Sequence, residues 1–116
     1  MKNRTKDEVR LKHILDAIKD IELFITDILY DNFETDKMLQ SACVFQLQVI
    51  GEAANHISEE IIRSYSNIEW AEIVGLRNFL IHEYFGIDIK IIWQVIQLDL
   101  PELKKNVEII LKNIME

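Results

Sequence analysis

Apolar residues in this chain recur at steps of three and four almost from end to end, and no stretch alternates in polarity long enough to make a strand. That period puts them on one side of an α-helix. One proline and three glycines are all that interrupt the 116 residues, so helices have few places to stop. The pattern predicts an all-α protein: an antiparallel four-helix-type bundle with a broken last helix, folded as a single domain over residues 1–116.

Leu11, Ile14, Ile18, Ile21, Ile25 and Ile28 form the apolar stripe of a first amphipathic helix, with Lys12, Asp16, Lys19, Asp20 and Asp27 on its other face. Thr5 and Glu8 have the spacing of a capping box at its start, and Asp31-Asn32 are expected to end it. A second helix is expected from about Asp36 to about Arg63. It carries one stripe through Leu39, Cys43, Gln46, Ile50, Ala53, Ile57 and Ile61, and a neighbouring one through Met38, Ala42, Phe45 and Val49. So wide an apolar arc predicts the most buried helix of the bundle. Gly51, Ala53 and Ala54 are small enough to admit another backbone.

Ser64 to Asn67 is a polar break, and Ser66 with Glu69 predicts a capping box opening a third helix. That helix carries Trp70, Ile73, Val74, Leu76, Phe79 and Leu80, and Gly86 is its natural stop. Asp88 is placed to cap a fourth helix, and Pro101 marks a kink or restart before the stripe Leu103, Val107, Ile110 and Ile114.

Thirteen basic against twenty acidic residues leave a net charge of −7. That argues against broad adhesion to nucleic acid, which needs a basic face, yet leaves room for a small local basic site and for a basic protein partner. The lone Cys43 excludes an internal disulfide and reads as a small core hydrophobe in a reducing compartment. No run of about 18 apolar residues exists, and the charged stretch Met1 to Lys12 has no signal-peptide core. The expectation is a cytoplasmic protein with no membrane association.

The densest chemistry lies in Arg77-Asn78-Phe79-Leu80-Ile81-His82-Glu83-Tyr84, an R-x4-H-x-Y pattern at the end of the third helical stretch. Arg matches phosphate oxygens with a planar fork, and His moves a proton near neutral pH. On a helix Asn78 and His82 share a ridge, whereas Arg77 and His82 stand about 140° apart. Either Arg77 reaches around on its long side chain, or two copies of the motif form one cleft across a symmetry axis. A plainer reading has Arg77 and His82 serving only the last carbonyls and the dipole of their helix. His13, His56 and His82 have no metal-ligand spacing, so no metal is expected, and there is no phosphate-cradling glycine loop. Asp16, Asp20, Glu59 and Glu60 read as a solvated face. Glu52, beside Gly51, either orients the site or covers a packing defect.

Gln48-Val49-Ile50-Gly51-Glu52-Ala53-Ala54, then Trp70, then Gly75 through Asp88, then Ile92-Trp93 and Asp99-Leu100-Pro101-Glu102-Leu103 resemble the HepT-like (DUF86) branch of the HEPN superfamily. The match runs through most of the chain in order. It departs before Trp70, where the family often has a proline-containing turn and this chain has Ser66-Asn67-Ile68-Glu69. The resemblance implies a metal-independent endoribonuclease without cofactors, commonly the toxin of a type VII-like toxin–antitoxin pair. It implies a homodimer whose R-x4-H motifs face a shared cleft. It also implies a minimal nucleotidyltransferase (MNT) antitoxin as partner, able to transfer AMP onto the motif's tyrosine, here Tyr84.

On that footing the expected catalytic residues are Arg77, His82 and Asn78. His82 exchanges the proton as a ribose 2′-hydroxyl attacks the adjacent phosphate, Arg77 offsets the charge that builds on its oxygens, and Asn78 positions the phosphate or the imidazole. Tyr84 binds the RNA substrate and is the site of AMPylation. The alternative is a non-catalytic helical binding module that positions a partner nucleotidyltransferase or its substrate. A plain helical dimerisation protein is the third reading.

Overall fold

The computed structural model describes residues 2–82 and 88–116, and every regular element among them is helical. The bundle consists of α1 (Lys2–Phe24), α2 (Tyr30–Thr35), α3 (Lys37–Ala54), α4 (Glu59–Ser64), α5 (Trp70–His82), α6 (Ile89–Gln94), a π-helical turn (Val95–Asp99) and α7 (Leu100–Met115). Helix α3 lies centrally, packed against α1 on one side and α5 on the other, and α7 closes over α1. Leu11, Ile14 and Ile18 of α1 meet Leu47 and Ile50 of α3, Leu80 of α5, and Val107 and Ile110 of α7 in a fully buried core. Among the described residues no helix is long and apolar enough to cross a membrane.

Four boundaries differ from the sequence expectation. Helix α1 begins at Lys2, so Thr5 lies inside it and the Thr5–Glu8 box does not open it. It also stops at Phe24 rather than near Asp31. Asp27 adopts a left-handed conformation (φ 61°), which a short polar side chain tolerates and a helix does not. The reversal returns the chain as α2, with Asp31 and Asn32 inside a helix instead of ending one. Helix α2 drives Phe33 fully into the core against Trp93, at a ring separation of 4.9 Å.

The expected second helix is two. Asp36 caps α3 as anticipated, accepting the Leu39 N–H at 3.0 Å, but α3 ends at Ala54 and α4 restarts at Glu59. The cause is Asp7 on α1, only 2% exposed. Its carboxylate accepts the Ser58 N–H at 2.9 Å and the Ser58 hydroxyl at 2.6 Å. A Ser58 N–H held this way cannot continue α3, and the Ser58 hydroxyl oxygen instead accepts from Ile61 as the cap of α4. Asp7→Ala strands both Ser58 donors and is expected to destabilise the protein by about 2 kcal/mol, read from urea unfolding. Asp7→Asn, which keeps one acceptor, should lose less.

Helix α5 starts at Trp70, not at Ser66. In place of a Ser66–Glu69 box the chain makes two tight turns, Ile68 N–H to the Tyr65 carbonyl and Trp70 N–H to the Ile68 carbonyl. The buried Trp70 indole donates to the same Tyr65 carbonyl at 3.1 Å, which fixes the entry to α5. Asp88 caps α6 through the Lys90 N–H at 2.9 Å, as expected. The break before Pro101 is a π turn: the Leu100 N–H bonds the Val95 carbonyl five residues back. Proline at 101 has no N–H to offer, and it sits in the first turn of α7, where none is needed. The expected stop at Gly86 lies outside the described residues.

Helix α3 is not buried around its whole apolar arc. Cys43, Ile50 and Ala53 face the core, but Met38 and Phe45 of the second stripe are 86% and 61% exposed. Cys43 is the core hydrophobe expected. Burial pushes its thiol up to about 11. Because the thiolate is the reactive form, alkylation of the native protein at pH 8 should run about a hundredfold slower than alkylation of the urea-unfolded chain, followed by mass spectrometry.

Candidate active site

The site is built where α3 and α5 approach most closely. A methyl group on Gly51 would stand 2.8 Å from Arg77 Cβ and 3.1 Å from both the Arg77 amide nitrogen and the Ile73 carbonyl oxygen. Only glycine lets the two backbones touch there, and the contact delivers Arg77 to the edge of α3. Glu52 then meets it: Arg77 Nε lies 2.7 Å from Glu52 Oε2. The other oxygen of Glu52, Oε1, lies 3.2 Å from His56 Nε2, one helical turn further on. Arg77, Glu52 and His56 thus form a chain of polar contacts at the surface, each side chain between 41% and 47% exposed.

So exposed a pair adds little stability, since solvent screens it. Its consequence is orientation. The ion pair engages the guanidinium through Nε, and a guanidinium has further N–H donors on its two terminal amino groups with which to meet an anion. Of the two roles set out for Glu52, covering a packing defect does not fit a half-exposed carboxylate bound to an arginine.

Arg77 also lines a solvent-open hollow of about 390 Å³ between α1, α3 and α5, together with Arg10, His13, Phe45, Gln48, Val49, Glu52 and Ala53. Its volume falls near the lower end of the ~300–1,000 Å³ usual for ligand sites. A second hollow of about 310 Å³ has an apolar floor that includes Ile50, Ile73 and Leu76, but its rim carries Glu69, Glu72, Asp99 and Glu102 and no basic side chain. Four carboxylates repel a phosphate, so the Arg77 side of α5 is the one suited to an anionic substrate.

Asn78 is exposed on α5, and the His82 backbone closes that helix one turn further along. The His82 side chain and the whole of Tyr84 lie outside the described residues. Among the described residues no three His, Cys, Asp or Glu side chains gather as metal ligands would. Arg10, His13, Phe45, Gln48 and His56 were not singled out for the site from the sequence. The i, i+4 spacing of Glu52 and His56 was the one signal that could have drawn attention to His56.

The all-helical bundle is the fold that the family resemblance implies. Comparison with known proteins agrees. The family described as "Ribonuclease HepT-like" matches residues 14–110. A Methanocaldococcus jannaschii protein named "Putative RNase MJ1380" is 42% identical over 100 residues, covering 86% of this chain and 92% of that protein. "Putative RNase TTE0752" of Caldanaerobacter subterraneus subsp. tengcongensis is 39% identical over 88% of this chain and 91% of its own length. "Probable ribonuclease HepT" of Thermococcus cleftensis is 38% identical over 93% of this chain and 96% of its own. No solved structure matches significantly. The chain belongs to the HepT-like family of the HEPN superfamily.

Proposed function

We propose that this chain is an endoribonuclease that cleaves RNA by attack of a ribose 2′-hydroxyl on its own 3′-phosphate. The new bond joins O2′ to phosphorus and the bond from phosphorus to O5′ breaks, leaving a 2′,3′-cyclic phosphate and a free 5′-hydroxyl. His82 takes the proton from the 2′-hydroxyl, and O5′ gains one as it leaves. Two copies of the motif in a homodimer would supply separate imidazoles for these two transfers. Arg77 binds the non-bridging oxygens as their charge grows, and Asn78 positions the phosphate or the imidazole. No resident metal enters the scheme.

The observation that carries this reading is the placement of Arg77. It is half-exposed, held through one nitrogen by Glu52, and open to a hollow large enough for part of a nucleic-acid strand. A structural arginine would more naturally end on the carbonyls of its own helix. The family membership and the names of the relatives support RNA cleavage as the activity.

In the cell the protein acts as a toxin restrained by a minimal nucleotidyltransferase antitoxin, which the family resemblance implies. AMP placed on Tyr84 would bring a phosphate and a nucleoside to the site and repel or mimic the incoming strand. Incubation with that partner and ATP should then add one AMP unit to a peptide containing Tyr84.

The chemistry is tested with an RNA oligonucleotide and the same sequence carrying one 2′-deoxy nucleotide at the cut position. RNA should be cut to a cyclic phosphate end and the deoxy position spared, because the nucleophile is missing. Equal cleavage of both would rule out internal attack.

A further inference from the structure

We propose that the hollow between α1, α3 and α5 is a subsite for single-stranded RNA, holding the nucleotide that flanks the scissile phosphate, with Phe45 as its stacking platform and Arg10 as a phosphate contact. This rests on the ribonuclease reading and extends it to residues outside the R-x4-H stretch.

Three features carry the inference. The first is local charge. In a chain of net charge −7, this hollow gathers two guanidiniums, Arg10 and Arg77, against a single carboxylate, with the His13 imidazole beside them. That carboxylate, Glu52, is already engaged by Arg77 and His56. Arg10 forms no ion pair among the described residues, so an incoming phosphate has no carboxylate to displace from it.

The second is the exposed aromatic ring. Phe45 is 61% exposed although most of the apolar side chains of α3 are buried or half-buried. Exposing a phenyl ring is unfavourable unless something covers it in use, and a base offers a flat face for it. The third is register. Arg10 and His13 stand three apart on α1, and Phe45, Gln48 and Glu52 stand at i, i+3 and i+7 on α3, so each set shares one side of its helix. Two facing stripes, one bearing a guanidinium and an imidazole and the other aromatic and amide-bearing, suit a strand with phosphate along one edge and a base along the other. An unpaired base can enter such a hollow, whereas a duplex keeps its bases stacked inside.

The test measures binding of a fluorescent single-stranded RNA to His82→Ala protein, which holds RNA without cutting it. Arg10→Ala and Phe45→Ala are added on that background, with Arg63→Ala as control, because Arg63 pairs with Glu59 away from the hollow. Arg10→Ala and Phe45→Ala should each weaken binding about tenfold. Only Arg10→Ala should also flatten the dependence of log affinity on log salt, by roughly one unit of slope. In otherwise wild-type protein the same changes should raise KM about tenfold with a smaller change in kcat.

Binding and cleavage unaltered by both variants would overturn the subsite. So would loss of binding accompanied by dissociation to monomer in sedimentation, which would make Phe45 part of a contact between copies of the chain. If wild type cuts no RNA while Arg10→Ala and Phe45→Ala still weaken binding, the nuclease reading falls and the subsite stands. If wild type neither cuts nor binds RNA, both fall.

Discussion

Arg77→Ala is expected to lower the rate of RNA cleavage by about 10²- to 10³-fold, the usual cost of removing one group that stabilises a developing oxyanion. His82→Ala should cost about 10²- to 10⁴-fold, the range for a lost general acid or base. The two variants should differ in what remains. Arg77→Lys keeps the charge but loses the planar fork and the Nε contact to Glu52, and should recover only part of the rate. No comparable partial rescue is expected at position 82 from Gln, which cannot exchange a proton. The Arg77 variants should fold normally, because Arg77 is half-exposed and its ion pair is screened. Single-turnover cleavage of one oligonucleotide, with circular dichroism of each variant, checks both statements.

The second large effect is expected from a residue that touches no substrate. Gly51→Leu should destabilise the protein by about 3 kcal/mol and remove most of its activity. The reason is the approach of α3 to α5. The first carbon of any side chain at 51 lands 2.8 Å from Arg77 Cβ, and it also meets backbone atoms of α5 that cannot rotate away. Gly51→Ala resolves the terms. Alanine gains about 1 kcal/mol of helix propensity over glycine. The clash costs about 2 kcal/mol, so a net loss of about 1 kcal/mol is expected. Activity should fall further than that small change in stability accounts for, because Arg77 itself must move. Urea unfolding and cleavage rates measured on the same preparations separate the two. A Gly51→Ala protein as stable and as active as wild type would mean that the close approach does not position Arg77.

The helical class was legible because the apolar period is long and sustained, and periodicity survives small errors at element ends. Asp36, Asp88 and Pro101 were legible for the same kind of reason: each acts through its own backbone neighbourhood, on donors two or three residues away or on an N–H it does not have. Two of the differences came from contacts between residues far apart in the chain. Nothing near Ser58 announces that Asp7, fifty-one residues earlier, captures its N–H and splits one helix into two. Nothing near Asp31 announces that Phe33 must return to Trp93.

The site divides in the same way. Arg77, Asn78, His82 and Tyr84 form one run of sequence and could be read as a group. Glu52 and Gly51 stand out on an apolar helix, but that they touch Arg77 follows from how α3 crosses α5. Arg10, His13 and Phe45 come from two helices and converge only in the folded bundle. Phe45 misled most, because an aromatic at an apolar helical position reads as core and here it faces solvent.

The proposed ribonuclease depends on Arg77 and His82 acting on one phosphodiester through the ribose 2′-hydroxyl. The most direct measurement is cleavage of a defined RNA by rigorously purified wild type and by the Arg77→Ala/His82→Ala double variant, with both new ends mapped chemically. Wild type should yield a 2′,3′-cyclic phosphate and a 5′-hydroxyl at each cut, and the folded double variant should leave the RNA at its uncatalysed rate. A double variant that cuts as fast as wild type, or wild-type products ending in a 5′-phosphate, would contradict it.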